Sequence, residues 1–413
     1  MKIAPTTRLT QGLDYYKPTM SQLEYEKYPD ANVTFRLKNR SSEKLSDYVR
    51  PEELSERLEY HANGMQPDEI AYLASLQNQD GNAQFCKEYL DYIADSSLPE
   101  INIGYDSQGD ISAETTGPWP LVTFCETVLM SELNELRSYN KLQTEGRSLA
   151  SALNEGDRRL TEKINFLRQR PDIKIADFGT RRRFSYAWQK HVVERLADEL
   201  PDNFVGTSNV YLANKLNLKP IGTMAHELPM GYASLADQAG QNPLSSHAQV
   251  LDDWQEIYRG DLSTALPDTF TTGFFFANLR PDQAEVWRGL RHDSGDPIRF
   301  GEQTINYYRS LGIDPRQKSI TFSDGLDLET IAKLSDYFSG RINFNFGWGT
   351  TLTNDLGLSA TSIVMKAEAV NGTPTVKLSD SLGKHTGPAE YVKRYQALAA
   401  ESINNKSREL ACV

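Results

Sequence analysis

A chain of 413 residues with 39% hydrophobic and 24% charged side chains has the make-up of a globular enzyme and not of a disordered or fibrous protein. Its 44 basic and 56 acidic residues leave a formal charge of -12, which argues against a broad electropositive face for nucleic acid but not against a local arginine cluster for a small anion. Cys86, Cys125 and Cys412 match neither a zinc pattern nor a disulfide framework, and no signal peptide or run of ~18 apolar residues is visible, so a cytoplasmic protein with no membrane partner is expected.

The leading 120 residues mix short strands and helices. Val33, Phe35 and Leu37 alternate with Thr34, Arg36 and Lys38, the period of a half-buried strand over Asn32 to Arg40. The charged stretch Ser41 to Asp80 reads as helices, and Gly104 to Asp110 carries turn signals between two strands. From about residue 120 a rhythm of short apolar run, polar glycine-bearing cluster and amphipathic stretch predicts βα units on a parallel sheet. The runs are IKIADFG (173–179), FVGTSN (204–209), PIGTMAHE (220–227), FTTGFFF (270–276), GLRHDSGD (289–296), SITFSDG (319–325) and INFNFGWGT (342–350). In an α/β barrel the loops that follow such strands converge on one mouth, which would gather their polar residues around a single site. After about residue 365 the chain becomes turn-rich and is expected to rejoin the leading domain.

Several of these strand ends can carry chemistry. DFGTRRRFS (177–185) sets Phe178, suited to stacking on a flat ring, beside three arginines whose forks bind carboxylate or phosphate; a solvated arginine face is an equally ordinary outcome for such a run. GTSN (206–209) and FGWGTTLTND (346–355) are small-residue turns that can offer backbone N–H groups to an anion, or can simply be βα loops whose glycines satisfy the backbone. His226 and Glu227 follow a strand-like run in a chain of only six histidines. A hydrogen-bonded structural histidine is the commoner case, and a nucleophile oriented by an acid is the sharper one. RHDSGDP (291–297), SDGLD (323–327) and Asp268 supply carboxylates beside Ser and Gly, as Mg2+ with substrate phosphates would use, or as plain turns do.

Taken in order, LDYYKPTM, DFGTRRRFS, GTSN, GTMAHE, RHDSGDP, SDGLD, FGWGTTLTND and KLSDSLGK resemble the nicotinate phosphoribosyltransferase family over nearly the whole chain. The resemblance implies an α/β fold: an irregular α/β barrel over 121–365 and a smaller α/β sandwich domain from residues 1–120 completed by 366–413. It implies nicotinic acid, phosphoribosyl pyrophosphate and ATP as substrates, Mg2+ as cofactor, and a ligase-like glycosyl transfer in NAD salvage. A homodimer with shared active sites is implied too, with Tyr16 and Lys17 of one subunit near the barrel mouth of the other and Tyr16 facing Phe178 across the pyridine ring. His226 then corresponds to a histidine phosphorylated by ATP, and Arg291 with Asp293 to the pair around ribose and pyrophosphate. Asp324, Gly325, Gly347 and Gly349 correspond to positions that hold ribose hydroxyls and the 5′-phosphate, and Asp268 with Asp293 would face the metal.

The choice of pyridine turns on Ser208 in this reading. Nicotinamide-using relatives carry an acid at the matching position, whereas a serine hydroxyl can donate to a carboxylate, with Arg181 supplying charge. Trp348, Gly273 and Leu382 depart from the residues usual at their places. The competing readings are a nicotinamide or quinolinate phosphoribosyltransferase and a barrel that binds nucleotide without turnover.

Overall fold

The structure is a computed structural model that describes residues 5–381 and 384–411; Leu382 and Cys412 lie outside the described residues. It splits into two compact units, one running up to Gly222 and including Gly347–Lys366, the other made of Thr223–Phe346 and the chain from Ala367 onward. The units change over at Gly222/Thr223, Phe346/Gly347 and Lys366/Ala367, while residue 120 lies inside the first unit. The reason is the 26-residue helix Trp119–Thr144, which is buried along most of its length and packs on the strands before it as well as on the Thr180–Arg182 turn after it.

In the first unit, β1 (Asn32–Asn39), β2 (Ile101–Tyr105) and β3 (Ile111–Pro118) form an antiparallel sheet with β3 in the middle. The period-two pattern of β1 does what it predicts: Val33, Phe35 and Leu37 are buried, and Arg36 on the other face pairs with Glu114 across the ladder. Gly109, at φ 74, closes the β2–β3 turn in a backbone region that suits glycine. Downstream, β4 (Ile175–Asp177) and β5 (Phe204–Thr207) run parallel. Asn209 ends the second run by accepting from Leu212 N, which caps the helix Val210–Lys215.

In the second unit, β6 (Thr264–Ala265), β7 (Gly289–His292), β8 (Ser319–Phe322) and β9 (Asn343–Trp348, whose last two residues belong to the first unit) lie side by side and parallel. Leu290, Ile320, Phe322 and Phe346 are fully buried, the near-continuous apolar reading of strands covered on both faces. β10 (Ile363–Val370) leads from the first unit into the second, where it pairs antiparallel with β11 (Thr373–Pro374). The mixed α/β class, with one parallel and one antiparallel strand set, is as the sequence rhythm predicts.

Two runs differ from their reading as strands. FTTGFFF becomes the helix Thr272–Asn278, because Thr271 takes φ 80 and its hydroxyl accepts from Phe274 N, so the chain is capped into a helix despite its β-like composition. PIGTMAHE is mostly irregular; only Pro220 makes a bridge, to Thr207, before the helix Glu227–Gln238 begins. The turn-rich tail in turn ends in a long helix, Ala389–Ala411, whose Val392, Tyr395 and Ala399 join Phe270, Phe274 and Val376 in one core cluster. Of the three departures, Trp348 is fully buried with its Nε1 donating to Thr351 Oγ1 at 2.6 Å, and a Cβ at Gly273 would make ordinary contacts with Ile403 and Thr271.

Candidate functional site

The expected site residues fall into two groups, each within one unit. In the second unit His226 precedes the helix Glu227–Gln238 and is drawn into a polar cluster. Its Nδ1 lies 3.0 Å from Thr269 Oγ1, and its Nε2 lies 2.9 Å from Asp293 Oδ2, 2.8 Å from Lys377 Nζ and 3.7 Å from Asp268 Oδ1. A neutral imidazole can donate from Nε2 to Asp293 or accept there from Lys377, but not both, so the proton on this nitrogen decides the pairing. Burial lowers the His226 pKa and the Lys377 charge lowers it further, against the two carboxylates that raise it. The ring therefore favours its neutral, nucleophilic form.

Asp293 follows β7. Burial opposes its charge, but Arg291, His226 and Lys377 outweigh that and hold its carboxyl well below the usual carboxylate range. Ser323 Oγ donates to Asp293 Oδ1 at 3.1 Å, and Arg291 Nη2 stands 3.7 Å from the same oxygen while Nη1 donates to Met224 O. Asp268 is buried; Ser294 Oγ donates to its Oδ2 at 2.5 Å, and its Oδ1 has no hydrogen-bond partner among the described residues. An orphaned, buried carboxylate oxygen wants a cation or a donor. With Asp293 it makes an oxygen pair of the kind a hard divalent ion uses, and the ligand atoms of His226, Asp268 and Asp293 all lie within 4.8 Å of one another. Asp324 and Gly325 follow β8: Asp324 is 3.8 Å from Lys384, and Gly325 turns through φ 63 with open space where a Cβ would stand.

In the first unit the arginine run divides. Arg183 is fully buried and donates to Gln11 O, whereas the half-exposed Arg181 places Nε 3.5 Å from Asp14 Oδ2 and Nη1 3.5 Å from Glu126 Oε1, with its guanidinium 5.7 Å from the centre of the Tyr16 ring. Neither a solvated face nor a uniform anion cluster describes the run. Tyr16 is buried in its own chain, and its hydroxyl has no hydrogen-bond partner among the described residues. Lys17, expected at the substrate, is fully buried with Nζ 2.6 Å from Glu126 Oε2, so its charge supports the acid behind Arg181. Ser208 likewise spends its proton inside the protein, donating to Asp14 Oδ1 at 2.6 Å. The neighbouring Thr207 donates to Asp177, whose carboxyl burial pushes up to about 6.

Phe178 and the two glycines of FGWG do meet. Phe178 N donates to Trp348 O, and a Cβ on Gly347 would lie 2.4 Å from the Phe178 ring, so only glycine lets that ring lie flat on the strand. At Gly349 the nearest atom to a Cβ is Phe178 O at 3.4 Å. Asp14, Glu126, Thr269, Ser294 and Lys377 are polar partners that sequence reasoning missed. Asp14 and Lys377 stand inside LDYYKPTM and KLSDSLGK, so attention to every polar residue of those motifs would have found them. Glu126 sits in an apolar helix, and an acid at a position otherwise filled by Phe, Cys and Val was its only signal.

Residues 173–404 match the nicotinate phosphoribosyltransferase (NAPRTase) family, and residues 12–134 match the N-terminal domain of that family. Among solved structures, the chain is similar to the nicotinate phosphoribosyltransferase of Porphyromonas gingivalis, at 28% identity and a TM-score of 0.84 over 96% of this chain and 100% of that one. The nicotinate phosphoribosyltransferase of Vibrio cholerae is 30% identical, with a TM-score of 0.83 over 97% of each chain. A putative nicotinate phosphoribosyltransferase of Saccharomyces cerevisiae is 26% identical, with a TM-score of 0.81 over 97% and 100%. No helix among the described residues is long and apolar enough to cross a membrane.

Proposed function

This chain belongs to the nicotinate phosphoribosyltransferase family, and on that premise we propose that it joins nicotinic acid to phosphoribosyl pyrophosphate, releasing nicotinate mononucleotide and pyrophosphate, with ATP hydrolysis coupled through His226. The observation that carries the proposal is His226 poised between Asp293, Asp268 and Lys377.

The pyridine nitrogen attacks C1 of the ribose while the bond from C1 to the pyrophosphate oxygen breaks, and the leaving group departs with the electron pair. A nitrogen lone pair needs no general base at neutral pH. Charge grows on the pyrophosphate, and Arg291 and Lys377 are the cations in the second unit suited to meet it. Asp268 and Asp293 would hold Mg2+, which when bound neutralises charge on substrate phosphates. In the first unit, Tyr16, Phe178 and Arg181 suit a flat aromatic acid, with ring faces for the pyridine and a guanidinium for its carboxylate. In this proposal Asp324 and Gly325 of the second unit suit ribose hydroxyls, and Gly347 and Gly349 of the first unit suit a phosphate.

For the coupling, the lone pair on one imidazole nitrogen of His226 attacks the terminal phosphorus of ATP, giving ADP and phosphohistidine. If Nδ1 donates to Thr269, that nitrogen is Nε2, and Lys377 can move from it to the incoming phosphoryl oxygens. Hydrolysis of the phosphohistidine restores the resting ring. Negative charge held beside Asp293 and Arg291 changes their grip on pyrophosphate while it lasts. The proposal includes a homodimer with shared active sites, which mixing subunits of two inactive variants would test.

Purified protein with phosphoribosyl pyrophosphate, Mg2+, ATP and either nicotinic acid, nicotinamide or quinolinate is the decisive assay. Nicotinate mononucleotide should form with the first; product from nicotinamide or quinolinate alone would sink the assignment. His226→Ala should lose ATP stimulation and keep slow ATP-independent transfer.

A further inference from the structure

Ser208 does not leave its surroundings free of acid. One hydrogen bond behind its hydroxyl stands the buried Asp14, with Oδ1 2.6 Å from Ser208 Oγ and Oδ2 3.5 Å from Arg181 Nε. The serine hydroxyl has a single proton, and in this geometry Asp14 holds it, so the hydroxyl has none to give an incoming carboxylate. Arg181, the cation beside them, is shared between Asp14 and Glu126, and Glu126 also faces Lys17. Two carboxylates and two cations make a formally neutral box, which an anionic ligand enters against the field of Asp14.

We propose that Asp14 is a specificity-positioning residue, which sets the preference between a pyridine carboxylate and a pyridine carboxamide through Ser208 and Arg181. Without its charge, the Ser208 proton can turn to a carboxylate and Arg181 answers one acid fewer, Glu126 remaining beside it. With its charge, Ser208 turns its lone pairs outward and favours an amide N–H. The proton that switches Asp14 comes from solvent, and binding of the carboxylate is coupled to its uptake.

The charged and titratable groups around Asp14 are Arg181, Glu126, Asp177, Tyr16 and Lys17. Burial raises the Asp14 carboxyl above its ordinary value of 3.8, while Arg181 and the Ser208 and Thr180 hydrogen bonds pull it back down. Tyr16 is raised by burial and stays neutral, and Glu126 is held charged by Lys17 and Arg181 despite its burial. Asp177, buried alongside, shares the effect of burial but is satisfied by Thr207, Gln189 and Gly179.

This inference rests on the nicotinate reading given above, and its test separates the two. Steady-state kinetics of the wild type and Asp14→Asn, each with nicotinate and with nicotinamide, are measured across mildly acid to mildly alkaline pH. Asparagine keeps the shape but not the charge, and its NH2 can donate to Ser208 Oγ, which leaves the hydroxyl proton for the ligand. The expected result is a nicotinate KM lowered about tenfold at the alkaline end, a kcat within about twofold, and a KM that no longer climbs with pH. The ratio of kcat/KM for nicotinate over nicotinamide should rise with it.

A wild type that makes no nicotinate mononucleotide overturns the function and this inference together. An active wild type whose KM ratio and pH slope survive in Asp14→Asn overturns the inference alone, since a merely structural Asp14 would alter stability without splitting the two substrates. Should Asp14→Asn not fold, Ser208→Ala, which removes the hydroxyl between Asp14 and the ligand, must raise the nicotinate KM most at the acid end and so flatten its rise with pH; an unchanged slope there overturns the inference.

Discussion

His247 gives the sharpest stability prediction because its chemistry is isolated. It lies buried on the helix Ser246–Tyr258 with edge-on contacts to Phe270, Phe274 and Phe275, and neither ring nitrogen has a hydrogen-bond partner among the described residues. Burial alone depresses its pKa from 6.5 to about 4. The unfolded chain therefore takes the proton first: the contribution to stability is whole above pH 6.5 and is lost as pH falls towards 4. By proton linkage the loss between about pH 7 and about pH 5 is about 2 kcal/mol. Asp177, raised to about 6, titrates in the same window with the opposite sign, because its folded state binds the proton more tightly. The informative comparison is thus the wild type against His247→Leu, which keeps the volume apolar and leaves Asp177 untouched. Urea unfolding or thermal melts at the two pH values should show the wild type losing about 2 kcal/mol, or about 4 to 8 °C, more than the variant. Equal losses in the two proteins would refute the claim that His247 is buried neutral.

Other expectations follow from single contacts. Lys377→Met removes the ammonium 2.8 Å from His226 Nε2, so ATP stimulation should fall on the order of tenfold while ATP-independent transfer persists, read as product formed with and without ATP. Gly347→Ala drives a Cβ into the Phe178 ring, and the KM for the pyridine should rise on the order of tenfold, read by steady-state kinetics at saturating phosphoribosyl pyrophosphate. Glu132, fully buried, accepts from Arg57 and Thr6 and faces His61; Glu132→Gln leaves Arg57 short of its counter-charge and should cost about 3 to 5 kcal/mol in urea unfolding.

The sequence by itself determined which segments carry chemistry and the period of the elements that hold them. Val33, Phe35 and Leu37 announce β1, and five of the seven apolar runs become parallel strands, because burial on both faces demands near-continuous apolar side chains. His226, Asp293 and Arg291 were legible as polar residues at the ends of apolar runs, Asp268 as an acid just before one, and Phe178 as a ring suited to stacking, while its fit against Gly347 came from the fold. Only the tertiary structure decided how each polar group spends its hydrogen bonds. It turned FTTGFFF into a helix through the cap at Thr271, committed the Ser208 proton to Asp14, sank Lys17 onto Glu126 and set Lys377 on His226 across 151 positions of chain. A local pattern records which face of an element is apolar, but a polar side chain takes its partner from whatever folding brings within about 3 Å, and that distance is not written in sequence spacing.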